Sequence, residues 1–153
     1  MTHSPTDSEK SKALKYLRDY EIPMMIQSKQ ILDQFGSMLS PPIQNALLET
    51  HLLHARNLIE LFQRPSADRI NIKDFGYKKI TQFGNLYKRI TKKLSHLTWS
   101  SIRGKKARWP RKEMLSLYKR LKDFITFLSV SDFDGTWDDT LSSINEEIER
   151  ISP

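Results

Sequence analysis

Apolar residues recur every three or four positions along most of this chain and nowhere alternate convincingly. Leu48, Leu52, Ala55, Ile59 and Phe62 follow one another at spacings of four, three, four and three, the pattern of a helix that buries one stripe. Ile80, Phe83, Tyr87, Ile90, Leu94 and Leu97 form a second unbroken seam. Met114, Leu117, Tyr118, Leu121, Phe124, Ile125 and Leu128 form a third. The period of two that marks a half-buried strand is missing. Only five glycines are present, too few for a turn-rich β fold or a Gly-rich phosphate loop. The chain is therefore expected to be all-α, an antiparallel bundle of five to six helices.

The breaks between seams suggest boundaries. Residues 1–8 are expected to be a loose tail, and 9–153 a single domain. The first helix is predicted over about 9–20, with Pro23 breaking or restarting the chain into a second over about 23–39. Ser40, Pro41 and Pro42 should open a third helix over about 41–63. Asp74 is a predicted cap for a fourth over about 75–98, with Gly84 as a candidate kink. Pro110 suits the start of a fifth, over about 110–129. Thr136 with Asp139 resembles a capping box for a last helix ending near Ile151.

The chain has no cysteine, which removes disulfides, thiolate metal sites and cysteine nucleophiles. No signal-like apolar segment follows a basic start and no apolar run approaches a membrane span. A soluble cytoplasmic protein is the expectation, with no membrane partner. The formal net charge is +7, and its distribution says more than its size. Residues 75–112 hold twelve Lys or Arg and no acid, while the rest of the chain holds 13 basic and 18 acidic residues. The stretch 123–153 has eight acids and one base, Arg150. Such clustering attracts polyanions. Alternatively, the acidic tail folds back over the basic segment.

Four histidines are present: His3, His51, His54 and His96. His51 falls within the third helix's apolar stripe and His54 at its edge, so a core role is expected. Their spacing of three can ligate a metal, but no carboxylate shares the face, so neither a metal nor a cofactor is expected. His96 differs. Asn85, Arg89, Lys92 and His96 share one face of the fourth helix, opposite its apolar seam. Cations there can bind phosphate and an imidazole can exchange a proton near neutral pH.

The run Arg89-Ile90-Thr91-Lys92-Lys93-Leu94-Ser95-His96 resembles the motif of the HEPN superfamily, an Arg, four to six residues, then a His. The blocks HARNLIELF (54–62) and ITKKLSHLT (90–98) also look like the two best-marked blocks of an uncharacterised bacterial helical family. The resemblance covers about residues 41–128. It implies a HEPN-like helical bundle that is usually a homodimer. Many such domains act as metal-independent endoribonucleases in toxin–antitoxin and phage-defence systems, and others are inactive binding modules. Arg89 and His96 would form the catalytic pair, with Lys92 as a second cation. Active members commonly have a polar residue directly after the Arg, where this chain has Ile90.

The expected RNA-binding residues are Lys88 and Lys93 on the same helix, then Arg103, Lys105, Lys106, Arg108, Trp109, Arg111 and Lys112 in and after the basic loop. Trp99 and Trp109 flank that loop and suit base stacking, or they anchor the loop to the bundle. A non-catalytic module that homodimerises or docks an acidic protein partner is the alternative function. A DNA-binding regulator fits poorly, because the helices are long and no short Gly turn joins two short ones. The segment Asp132-Phe133-Asp134-Gly135-Thr136 matches the first motif of haloacid-dehalogenase-like phosphatases. No βαβ pattern surrounds it and few residues follow, so it is read as a polar turn before a helix.

Overall fold

In the computed structural model, which describes residues 4–63, 69–94, 111–131, 133 and 135–152, Thr6 starts the first helix, α1 (Asp7–Tyr16). Its hydroxyl accepts from Glu9 N, and Glu9 Oε2 accepts from Thr6 N at 2.7 Å. This reciprocal box satisfies two amides that a helix start leaves open. The helix thus begins two residues earlier than the apolar spacing suggests.

Pro23 does not break the chain. A π-helical turn (Leu17–Glu21) joins α1 directly to α2 (Ile22–Phe35). Pro23 lacks an N–H, and in a regular helix its ring would press on the carbonyl of Asp19. The wider turn, in which Ile22 N–H reaches back to Leu17 O, lets one continuous rod run from Asp7 to Phe35. A 3-10 turn (Gly36–Met38) follows. It is tied to the next helix by Gln44 Nε2, which donates to Gly36 O at 2.6 Å and Leu39 O at 2.8 Å.

The helix α3 (Pro41–Phe62) has the extent its stripe implies. Ser40 occupies the N-cap with extended backbone, but its side chain makes no capping bond. Two prolines at the first helical positions leave fewer open amides to cap. Leu52, Ala55, Ile59 and Phe62 are buried and Leu48 packs beside them.

The fourth helix starts later than expected. Asn71 and Asp74 form a capping box for a 3-10 turn (Ile72–Phe75), which Gly76 ends in the left-handed conformation at φ 82°. Asp74 therefore caps this turn rather than a long helix. Residues 77–83 run without helix, yet Thr81 N donates to Phe62 O at 3.1 Å, and Ile80 and Phe83 still pack on the core. The helix α4 (Gly84–Leu94) begins at Gly84 itself. The apolar spacing of Ile80 and Phe83 thus matches a helical seam without being one.

The helix α5 (Arg111–Ser129) and the acidic helix α6 (Asp138–Ile151) complete the bundle. The box expected at Thr136 and Asp139 does not form. Trp137 is the N-cap and makes no side-chain capping bond; it is instead buried, with Arg18 stacked 5.8 Å from its ring. Among the described residues there is no strand, and five helical rods pack together. The second half of the rod, α2, lies along α3, α4 packs on α3, and α6 lies against α5 and α2. Phe124 of α5 sits at the centre of the core, 5.9 Å from Phe62, 6.0 Å from Phe75 and 5.4 Å from Tyr77. No described helix is long and apolar enough to cross a membrane.

Candidate nucleic-acid interface

The buried seam of α4 fixes what the helix shows to solvent. Leu86 and Ile90 are enclosed, and Tyr87 and Leu94 pack partly against the core. By the 100° step of a helix, Asn85, Lys88 and Lys92 then point outward, and all three are exposed.

The two flanks of α4 are pinned. On one, Tyr87 donates to Glu60 Oε1 of α3 at 2.8 Å. Arg69 Nη1 reaches Glu60 Oε2 at 2.7 Å, so one carboxylate serves both groups. The bond to Glu60 holds the Tyr87 phenol above its usual range. On the other flank, Arg89 forms an ion pair with Glu113 in the first turn of α5. Arg89 therefore turns toward α5 rather than sharing one open face with Lys92. Lys93 is half-buried, and burial, then the neighbouring Arg89, lowers its ammonium below the usual lysine range.

Arg111 opens α5 and Lys112 is exposed in its first turn. Two cations at a helix N-terminus add to the positive end of the dipole instead of offsetting it. The acidic helix α6 has its main packing against α5 and α2. Glu113, which closes the acid-free run, is the acid that meets Arg89. His96, Trp99, Arg103, Lys105, Lys106, Arg108 and Trp109 lie outside the described residues, as does the Arg111 side chain.

His51 has the core role expected. It is buried, and its Nδ1 donates to Met25 O of α2 at 2.6 Å. Burial pushes its pKa down to about 4. Among the described residues no group of three or more His, Asp or Glu side chains is placed to hold a metal.

A second constellation escaped the sequence. Glu21, the last residue of the π turn, is only 3% exposed. Its Oε1 accepts from Asn57 Nδ2 at 2.7 Å and lies 3.1 Å from His54 Nδ1. Glu21 Oε2 is enclosed without a hydrogen-bond partner. Burial, then the charge of Glu21, raises the phenol pKa of Tyr16. The Tyr20 and His54 rings meet nearly at right angles, 5.3 Å between centroids. His54 and Asn57 come from the HARNLIELF block and Glu21 from a different helix. Its only sequence signal is an acid one residue before an apolar helical run.

A cleft of about 610 Å³ also opens between the start of α2 and the start of α6, lined by Arg18, Asp19, Gln27, Gln30, Asp139 and Ser143 among others. Its charges are mixed, and Arg18 is already bonded to Asp19 at 2.8 Å.

Compared with known proteins, the chain matches no family model, no curated protein and no solved structure.

Proposed function

We propose that this chain is an RNA-directed helical module of HEPN-like type, acting through the cationic surface of α4 and the basic segment that follows it. The observation carrying this reading is the exposure of Lys88 and Lys92 opposite the buried Leu86 and Ile90, within an acid-free stretch of twelve cations. Exposed cations of one sign concentrate a polyanion and bind its phosphates.

The same surface supports a metal-independent endoribonuclease. In such a reaction the RNA 2′-oxygen attacks the adjacent phosphorus, the P–O5′ bond breaks and a cyclic phosphate forms. His96 would take the 2′-hydroxyl proton or supply one to the leaving oxygen, with Lys92 offsetting phosphate charge. Arg89 meets a phosphate in competition with the Glu113 carboxylate, which already holds its Nη1. The test is cleavage of single-stranded RNA in the presence of a chelator by wild type, Arg89→Ala, Lys92→Ala and His96→Ala. Cleavage lost in His96→Ala and reduced in the other two supports the assignment. Equal cleavage by all four proteins overturns it.

One observation favours a second reading. Arg89 already holds a carboxylate, which is the group an acidic protein partner would present. A non-catalytic module would dock such a partner, or a second copy of itself, through the cationic face. Light scattering at low and high salt, with and without an acidic peptide, separates this from RNA binding.

A further inference from the structure

We infer that the RNA surface of α4 continues over the Tyr87 flank of that helix, where Arg69, with Lys88 beside it, receives a further phosphate of the strand. The inference rests on the RNA-directed reading above and adds to it a contact outside the acid-free stretch of sequence that suggested it.

The corner where α3 meets α4 carries more positive charge than its single acid offsets. Arg69 Nη1 lies 2.7 Å from Glu60 Oε2, and Arg56 Nε stands 4.0 Å from Glu60 Oε1. The same Oε1 accepts from the Tyr87 hydroxyl at 2.8 Å, so both oxygens of the carboxylate are engaged. Two guanidinium charges against one carboxylate leave a net positive charge. Arg69 displays it: its side chain is 58% exposed, while the Glu60 side chain that holds it is 16% exposed. A guanidinium has more donors than this one bond uses, in a fork that matches phosphate oxygens. Arg56 has another part. Its Nε is enclosed, so it shares Glu60 from within and keeps that carboxylate from neutralising Arg69 in full.

This corner adjoins α4 directly. Glu60 joins Tyr87 of α4 to Arg69. The bond to Glu60, burial and the charge of Glu60 raise the Tyr87 phenol, and the charges of Arg56 and Arg69 act on it in the opposite sense. Lys88 follows Tyr87 and lies about 100° further round the helix, with Lys92 about 40° beyond it. Both lysines are exposed. Arg69, Lys88 and Lys92 therefore stand in file across α4, and the acid at one end of that file is already engaged. A ligand that meets positive charges in file is one whose negative charge repeats along its length. The phosphodiester backbone of a nucleic acid has that form.

The experiment measures affinity of the full chain for a fluorescein-labelled unstructured RNA decamer over a salt series, and for a labelled decaglutamate peptide. The proteins are wild type, Arg69→Gln, Arg56→Gln, Glu60→Gln and Lys12→Gln, with circular dichroism melts alongside. Lys12 is exposed on α1 and controls for the loss of one charge elsewhere. Arg69→Gln is expected to weaken RNA binding by roughly 3- to 10-fold at low salt and to lower the salt slope by about 0.7. Arg56→Gln should weaken binding less and keep the wild-type slope, because no phosphate contact is lost. Glu60→Gln should tighten binding, and Lys12→Gln should leave it unchanged. Arg69→Gln that binds as Lys12→Gln does, with the wild-type slope, overturns the inference while leaving the RNA reading on α4 intact. A Glu60→Gln protein that melts with wild type and binds no tighter also overturns it. Decaglutamate bound as tightly as the RNA, and weakened equally by Arg69→Gln, makes an acidic protein the occupant and overturns it too. A wild-type protein that binds no RNA overturns both readings.

Discussion

Glu21 Oε1 and His54 Nδ1 lie 3.1 Å apart across the junction of the π turn and α3, with both side chains almost wholly enclosed. A carboxylate in such a place is tolerable only while it is bonded. Glu21→Ala would take the acceptor from the Asn57 amide and the carboxylate from beside the His54 ring, and should cost about 1–3 kcal/mol. Glu21→Gln keeps an acceptor for Asn57 and should cost clearly less. Urea unfolding of the three proteins checks the ordering, and equal losses would mean that the charge, not the acceptor, is what matters.

Stability should depend on His51 in mild acid. Its pKa is about 4 in the folded chain against the ordinary imidazole value of 6.5. The unfolded chain therefore binds the proton first, and the folded state loses stability as pH falls from about 6.5 toward 4. The full effect amounts to about 3 kcal/mol, and above pH 6.5 this group adds no pH dependence. Urea midpoints from pH 7.5 to 4 should fall accordingly, and His51→Gln should flatten that part of the curve.

The Arg89–Glu113 pair should matter to ligands more than to folding. Both side chains are well exposed, at 43% and 39%, so replacing either should shift stability by less than about 1 kcal/mol. Glu113→Gln is expected to tighten RNA binding at low salt by releasing Arg89. Arg89→Gln should weaken it and lower the salt slope by about one. Filter binding over a salt series reads both changes; identical slopes for all three proteins would exclude Arg89 from phosphate contact.

Gly135 should resist substitution. Its φ is 124°, and a Cβ there would meet Arg18 Nη1 at 1.8 Å. Gly135→Ala must strain the backbone and displace the guanidinium from Trp137, at a cost of about 1–3 kcal/mol. A thermal melt within error of wild type would show that the turn before α6 reshapes freely.

The bundle was legible because burial on one face of a helix leaves a periodic record. The stripe of α3 and the seam of α5 needed no tertiary information. The stretch 75–83 misled because Ile80 and Phe83 are core residues whose spacing fits a helix, while the cues that stop one there are local. Those cues are the Asn71–Asp74 box and the left-handed Gly76. Pro23 was visible as a disturbance, but whether a rod ends or widens depends on a single hydrogen-bond register. The cationic character of α4 was readable from charge alone. The turning of Arg89 toward Glu113 was not, since it depends on where α5 lies. Glu21 and His54 stand 33 positions apart in the sequence, and no periodicity within one helix can report a contact between two.

The turn at Leu17–Glu21 also sets how the chain can change in length. It holds one residue more than a regular turn, so a loss inside it is taken up by a return to regular winding, whereas a loss between Leu14 and the turn would swing the start of α1 by about 100° about its own axis. Leu14, now buried, would then take the exposed place of Lys15, and Ala13 the buried one. The first helix is therefore expected to tolerate many exchanges of side chain but no loss of a single position between Leu14 and the turn.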